Sequence, residues 1–494
     1  MQPSQNVLPR ILGPFITTAI VVGTVIGSGV FKKGRNVAEN VPEFGLAMGV
    51  WVLGGVLTLL GSFALAEVAV LYPRAGGNYV FLREAYGRCV GFLSGWVEFW
   101  IIRSASIAAL ATMFTESFHD VLRLSLYAGQ PVDLLSFWER QALTAVVIAA
   151  LAGVNARGVR LGGGLQFFIT VLKVASILFI ILLPFVVVAV TAEPTASPQL
   201  AYLSPVWPSD WLAVNGSGFG VALIGVLWAY NGWMNIGPIA GEVRNPSRTI
   251  PVSLFGGVAI LITLYCGANV AYYLIIPRAE MAALGKDTTV ATEFCFRLLG
   301  PIGALVSSCI VMTSVFGALN GTLLVGPRLL FAMGQDRLAP ASLGRLHHRY
   351  QTPVFATAVM AGWSCLLVLL VGGLTHHRLP VLSWGSWEID VNIPAGKSPF
   401  DVMTDFAIFG AVTFETLAVA SIFVFRRRIP VNAESRPYRC WGYPFVPIIY
   451  VLAMAAVVFT FFATPEQRSE AVVGVVFIAL GAFVYLIIFR EREG

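Results

Sequence analysis

Two long apolar runs, each interrupted where a helix tolerates interruption least, restrict this chain more than any other feature. The run Ile11–Phe31 is apolar and, at roughly 20 residues, long enough to cross a bilayer. Inside it lies Gly23-Thr24-Val25-Ile26-Gly27-Ser28-Gly29. Each glycine there costs about 1 kcal/mol of helix propensity relative to alanine. In hydrocarbon a broken helix leaves peptide groups unpaired, so a break survives only where it lines a cavity or a ligand completes it. The pattern returns in the second half: Leu223–Tyr230, then Asn231-Gly232, then Met234-Asn235-Ile236-Gly237-Pro238. Two interrupted spans in corresponding positions of two halves point to the substrate site of an inverted-repeat transporter.

Composition agrees with a membrane setting. Of 494 residues, 57% are hydrophobic and 12% charged, about half the charge of a soluble chain. No polar stretch is long enough to fold alone, so the expectation is one membrane domain over 1–494, all-α and polytopic. The net charge of +6 reads as loop arginines, and a nucleic-acid partner is not expected. The cysteines (Cys89, Cys266, Cys295, Cys309, Cys365, Cys440) show no CxxC. They carry neither a metal pattern nor a disulfide framework, and no metal or other cofactor is expected. Arg10 precedes the first apolar run, which ends in Phe31-Lys32-Lys33 without a small-residue cleavage site. A removed signal peptide is therefore not expected.

Span-length apolar stretches recur about twelve times, near 11–36, 45–71, 89–121, 141–156, 163–190, 217–242, 250–275, 301–333, 353–373, 403–425, 443–463 and 470–489. Arginine clusters mark alternate loops: Arg74, Arg83 and Arg88; Arg157 and Arg160; Arg244 and Arg248; Arg337, Arg345 and Arg349; and the run from Arg426 to Arg439. By the positive-inside rule these loops and both termini are cytoplasmic, in a plasma (inner) membrane. Lys32, Lys33 and Arg35 run against the bias locally. The loop 426–439 reads as topology charge, with an anionic-lipid patch as the alternative.

In the first break, Gly27-Ser28-Gly29 offers backbone N–H groups, a hydroxyl and the positive end of the following half-helix, a receptor suited to a carboxylate. The bland alternative is that these glycines only let helices approach closely. In the second break, carbonyls near Trp228 and Asn231 suit an ammonium group, and Trp228 could close over a side chain. A lone tryptophan in a span is more often packing or interfacial belt, but the adjoining break favours a functional role.

These segments resemble the L-type amino acid transporters, a branch of the amino acid–polyamine–organocation superfamily. The likeness is carried by Gly23–Phe31, Ala66-Glu67, Pro73-Arg74-Ala75-Gly76-Gly77-Asn78-Tyr79, and Glu98 with Ile101-Ile102-Arg103. It continues through Trp228-Ala229-Tyr230-Asn231-Gly232-Trp233, Glu242–Pro246 and Phe316–Gly321 with Arg328. The resemblance implies a LeuT-type fold, with 11–190 and 217–425 as inverted repeats and two further helices in 443–489. It also implies an alternating-access carrier of L-α-amino acids, sodium-independent, working as permease or exchanger. By the same resemblance Ser28 and Gly29, with Ile26 and Gly27 beside them, hold the substrate carboxylate. Val25, Trp228, Asn231 and Gly232 surround the amine, and Trp228 gates the site. Dibasic-amino-acid members have an acidic residue where this chain has Asn231, which favours neutral substrates here; a polyamine or cationic amino acid permease is the alternative. Met234 stands where many animal members have Asn. Animal light chains carry a cysteine that tethers a heavy chain, and Leu122–Arg140 has none, so no disulfide-linked heavy chain is expected.

Lys173 lies deep in the fifth span, where an ionisable residue costs from about 2.5 to well above 10 kcal/mol. The resemblance sets it beside the first break, as a proton-coupling group or a fixed structural cation. Glu98 and Arg103 are the other charges read as intramembrane. Five residues apart on an α-helix they point about 140° apart, so each is expected to find its partner on another span. A membrane enzyme or a channel is the rival class. Yet the histidines (His119, His347, His348, His376, His377) fall at span ends or loops, and HExxH and GxSxG are absent. Ala395-Gly396-Lys397-Ser398 imitates the end of a phosphate loop, but Val391 replaces its first glycine.

Overall fold

The computed structural model describes residues 8–127, 134–191, 195–212, 214–285, 288–376, 382–384, 387–389, 399–429, 436–463 and 465–489. The phosphate-loop imitation at 395–398 lies outside them.

The first apolar run forms two helices, α1 (Pro14–Val25) and α2 (Gly29–Asn40), bent by 41° at the break. Pro14 opens α1 at a position where its missing N–H costs nothing. The uninterrupted α3 (Phe44–Leu71) follows, then short α4 (Asn78–Tyr86). The third span is α5 (Arg88–Val97), a π-helical turn over Glu98–Arg103, and α6 (Ser104–Tyr127). Next come α7 (Phe137–Ala156), which a Ser136/Glu139 capping box starts, and α8 (Val159–Val190).

The second half repeats the broken opening. Helix α9 (Gly216–Tyr230) stops at Asn231; a 3-10 turn (Trp233–Asn235), α10 (Ile236–Ile239) and another 3-10 turn (Ala240–Glu242) complete the span. Then follow α11 (Pro246–Ile275), α12 (Arg278–Ala282), α13 (Val290–Leu299), α14 (Pro301–Val325), α15 (Pro327–Gln335), α16 (Val354–His376), α17 (Pro399–Arg428), α18 (Phe445–Ala463) and α19 (Pro465–Ile488). Between α16 and α17 two three-residue strands, β1 (Leu382–Trp384) and β2 (Trp387–Ile389), pair antiparallel.

Among the described residues, eleven helices are long and apolar enough to cross a membrane, twelve when α1 and α2 count as one bent span. The chain is thus a multi-pass membrane protein whose spans are all helical, and the spans read from the apolar runs fall on these helices. The outer faces of α8 and α19 expose Phe168, Leu182, Phe185, Val476 and Phe483, a surface that only lipid can cover without penalty. Inside the bundle α3 packs on α11, α6 on α14, and α1 between α8 and α11. Helix α2 lies against α9, so the two interrupted spans are neighbours.

Candidate functional site

The first break begins where Ile26 turns extended (ψ 94°) after α1. Its glycines do different jobs. A Cβ on Gly23 would overlap Thr170 and Gln166 of α8, and one on Gly29 would come 2.5 Å from the Ala229 Cα. Close packing requires both. Gly27 has room, with the nearest atoms to an added Cβ 3.6 Å away, so packing alone does not explain it.

The carbonyls released at the end of α1 are met by side chains from three other helices. Lys173 Nζ, on α8 and buried, donates to Gly23 O at 2.7 Å and to Ile26 O at 2.5 Å. Ser314 on α14 donates to Gly27 O at 2.9 Å. Tyr265 Oη on α11 stands 3.1 Å from both Val25 O and Ala229 O, bridging the two broken spans with one hydroxyl. Phe31 N and Lys32 N donate to Ser28 O at 3.2 and 3.1 Å, so the amides of α2 without an acceptor in their own helix are those of Gly29 and Val30, beside Ser28, which is buried.

The second break is made by Gly232, whose φ of +109° places it in the left-handed region open to glycine without strain. Asn231 N donates to Trp228 O at 3.1 Å, so the chain itself occupies that carbonyl. Thr24 Oγ1 reaches Gly232 O at 3.4 Å, and the breaks touch directly.

Between them lies one cavity. Val25, Gly27, Ser28 and Gly29 line it from one span, and Trp228, Asn231 and Gly232 from the other. Two residues named from the sequence do not line it. Ile26 is fully buried with its carbonyl turned to Lys173, and Lys173 sits behind the break.

The remaining wall corrects the reading of the intramembrane charges. Glu98 and Arg103 pair with each other, Arg103 Nε donating to Glu98 Oε2 at 2.8 Å. The expected angular separation assumed α-helix, whereas 98–103 is π-helical, and its i→i+5 spacing brings those two residues onto one face. Arg103 also donates to Asn235 Oδ1 in the second break. Nor were these the last such charges. Glu415 on α17 lines the cavity and accepts a hydrogen bond from Asn231 Nδ2 at 3.1 Å. Its signal was available, an acid inside the apolar stretch 403–425. The Tyr265 bridge had none, because tyrosine in a span is unremarkable.

A model of a protein family described as "Amino acid permease" matches residues 12–489. The serine/threonine exchanger SteT of Bacillus subtilis (strain 168) is 29% identical over 463 residues, covering 91% of each chain. The human b(0,+)-type amino acid transporter 1 is 28% identical over 389 residues, 78% of this chain and 75% of its own. The human cystine/glutamate transporter is 28% identical over 369 residues, 75% of this chain and 69% of its own. With a family match over nearly its whole length, twelve apolar spans and two breaks meeting at a cavity, this chain belongs to the amino acid permease family, a family of transporters and not enzymes.

Proposed function

We propose that this protein carries L-α-amino acids across a plasma (inner) membrane by alternating access, as an exchanger or permease that needs no sodium. Residues 11–190 and 217–425 act as the two repeats, 443–489 as the added helices, and both termini face the cytoplasm. The reading rests above all on the two interrupted spans enclosing one cavity, with Gly27, Ser28 and Gly29 of one break facing Trp228, Asn231 and Gly232 of the other. A substrate carboxylate docks at the N-terminus of α2 against the Ser28 hydroxyl and the amides of Gly27–Gly29, where about half a positive charge resides. The ammonium lies at the carbonyl ends of α1 and α9, near Val25, Asn231 and Gly232, with Trp228 as the gate. Lys173 occupies the back of the first break, donating to the carbonyls there. Its ammonium group takes the place of a bound sodium ion. Proton coupling is assigned to the same amine. Asn231 by itself favours uncharged side chains; the carboxylate of Glu415 against it favours a second reading, cationic substrates. No disulfide-linked heavy chain is part of this reading.

Purified protein in liposomes should show saturable amino acid uptake unaffected by replacing sodium with choline. Efflux of labelled substrate should accelerate when unlabelled amino acid is supplied outside. Flux linear in concentration, or no trans-stimulation of any kind, would reject the carrier. Lys173→Ala should flatten the dependence of uptake on pH, and an unaltered profile would reject coupling at Lys173.

A further inference from the structure

Among the described residues, four buried or half-buried glutamates stand inside the spans, and three are matched by arginine. Glu67 pairs with Arg426 at 2.6 Å, Glu98 with Arg103 at 2.8 Å and Glu242 with Arg328 at 2.9 Å. The fourth, Glu415, forms no ion pair with any described lysine, arginine or histidine, and its hydrogen-bond partners are neutral, the amide of Asn231 and the indole N–H of Trp233. It is also an acid that faces the substrate cavity. There Glu98 and Arg103 cancel, so one carboxylate of the lining remains without a counter-charge. An unmatched charge in a low-dielectric interior is costly, and the cost falls when something entering the cavity supplies the opposite sign.

We propose that Glu415 is a specificity-determining residue whose carboxylate is the counter-ion for a basic group on the substrate's side chain, so the site takes cationic amino acids such as lysine in addition to neutral ones. This rests on the reading of the cavity as an amino acid site. There the substrate's carboxylate and ammonium are engaged by the two broken backbones. Glu415 belongs to neither break: it comes from α17, on the wall that also carries Ile102, Glu98 and Arg103. That wall faces whatever the substrate bears beyond its Cα. Asn231 and Trp233 reach the carboxylate only through neutral donors, so its charge is left to be met by a side-chain ammonium or guanidinium.

The test compares lysine with norleucine, which has a similar shape without the charge, as competitors of labelled alanine uptake into proteoliposomes of the full-length protein. Lysine should inhibit at lower concentration than norleucine. Glu415→Gln should reduce that advantage roughly tenfold or more, the scale of losing one charge-assisted partner, and Glu415→Asp should retain part of it. Norleucine inhibiting as well as lysine in the unmodified protein would overturn the assignment, even if Glu415→Gln fails to fold. An equal loss for both competitors in a folded variant would overturn it too, placing Glu415 at the α-ammonium. Alanine uptake failing altogether in the unmodified protein would instead reject the underlying carrier reading.

Discussion

At the scale of single residues, the two ends of Gly27-Ser28-Gly29 separate packing from binding. Gly29→Ala drives a Cβ into the Ala229 backbone, an overpacking typically worth about 1–3 kcal/mol. Its melting temperature in detergent should fall, and transport with it. Gly27→Ala meets only ordinary contacts, so the melting temperature should hold while the new methyl group in the cavity raises KM. Equal melting losses for both would show that the break is merely close-packed. Cys440, outside the spans, offers a different check. Burial, with the Glu67 carboxylate beside it, pushes its thiol up to about 12. It should stay a thiol, unreactive to maleimide, at pH 8 in the folded protein and react on unfolding. Because the folded value is raised, an unfolded chain ionises this thiol first, so its contribution to stability is intact below about pH 8.5 and declines as pH rises above it. Glu415 shows how legible a residue can be and still be passed over. Its type and depth stood in the sequence, but only folding set it beside Asn231, which had been judged for its own lack of charge.

At the scale of elements, the π-helical turn matters most. One extra residue per turn aligns Glu98 with Arg103 and aims Arg103 at Asn235 in the second break. No propensity or period in the sequence distinguishes that turn from α-helix, since the cavity and the charge pair hold it open. The end of the second broken span is fastened as firmly. Glu242 and Arg328 are buried, and the Glu242 carbonyl accepts the amides of Ile11 and Leu12 at 2.9 Å. That ties the chain entering α1 to the exit of the other broken span. Removing one partner of such a pair typically costs about 3–5 kcal/mol, whereas replacing both with apolar residues is often neutral. Arg328→Met should therefore melt well below the double variant Arg328→Met/Glu242→Leu; similar melting of the two would refute a buried ionised pair. Tyr265→Phe removes the hydroxyl between Val25 O and Ala229 O, a loss of about 1 kcal/mol. It should slow exchange more than it lowers the melting temperature.

At the scale of the whole molecule, charge is sorted between the ends and the interior. Part of the basic loop 426–439 faces inward. Arg426 grips both oxygens of Glu67 at 2.9 and 2.6 Å, and Arg436 is buried over the carbonyls of Phe425, Arg426 and Ile429. These two arginines join α3, α17 and the segment before α18, and they are not available to lipid headgroups. The orientation read from the loop arginines can be tested in a cysteine-free background. A cysteine at exposed Arg157 should react with impermeant reagents only from the cytoplasmic face, and one at Leu212, 97% exposed, only from outside. The reverse pattern would invert the topology.

The sequence by itself determined the solvent and the class: apolar runs of about 20 residues need lipid, and in lipid such a run satisfies its own backbone only as a helix. It also marked the two breaks, because the glycines of Gly23–Gly29 and Asn231-Gly232 each weaken a helix by about 1 kcal/mol, although Gly23 itself still lies inside α1. Tertiary structure alone decided which side chains answer the freed peptide groups, how Glu98 meets Arg103, and that one carboxylate of the cavity lacks an arginine. Those facts join residues far apart in the chain, and charge pairing depends on distances through space that no local pattern records.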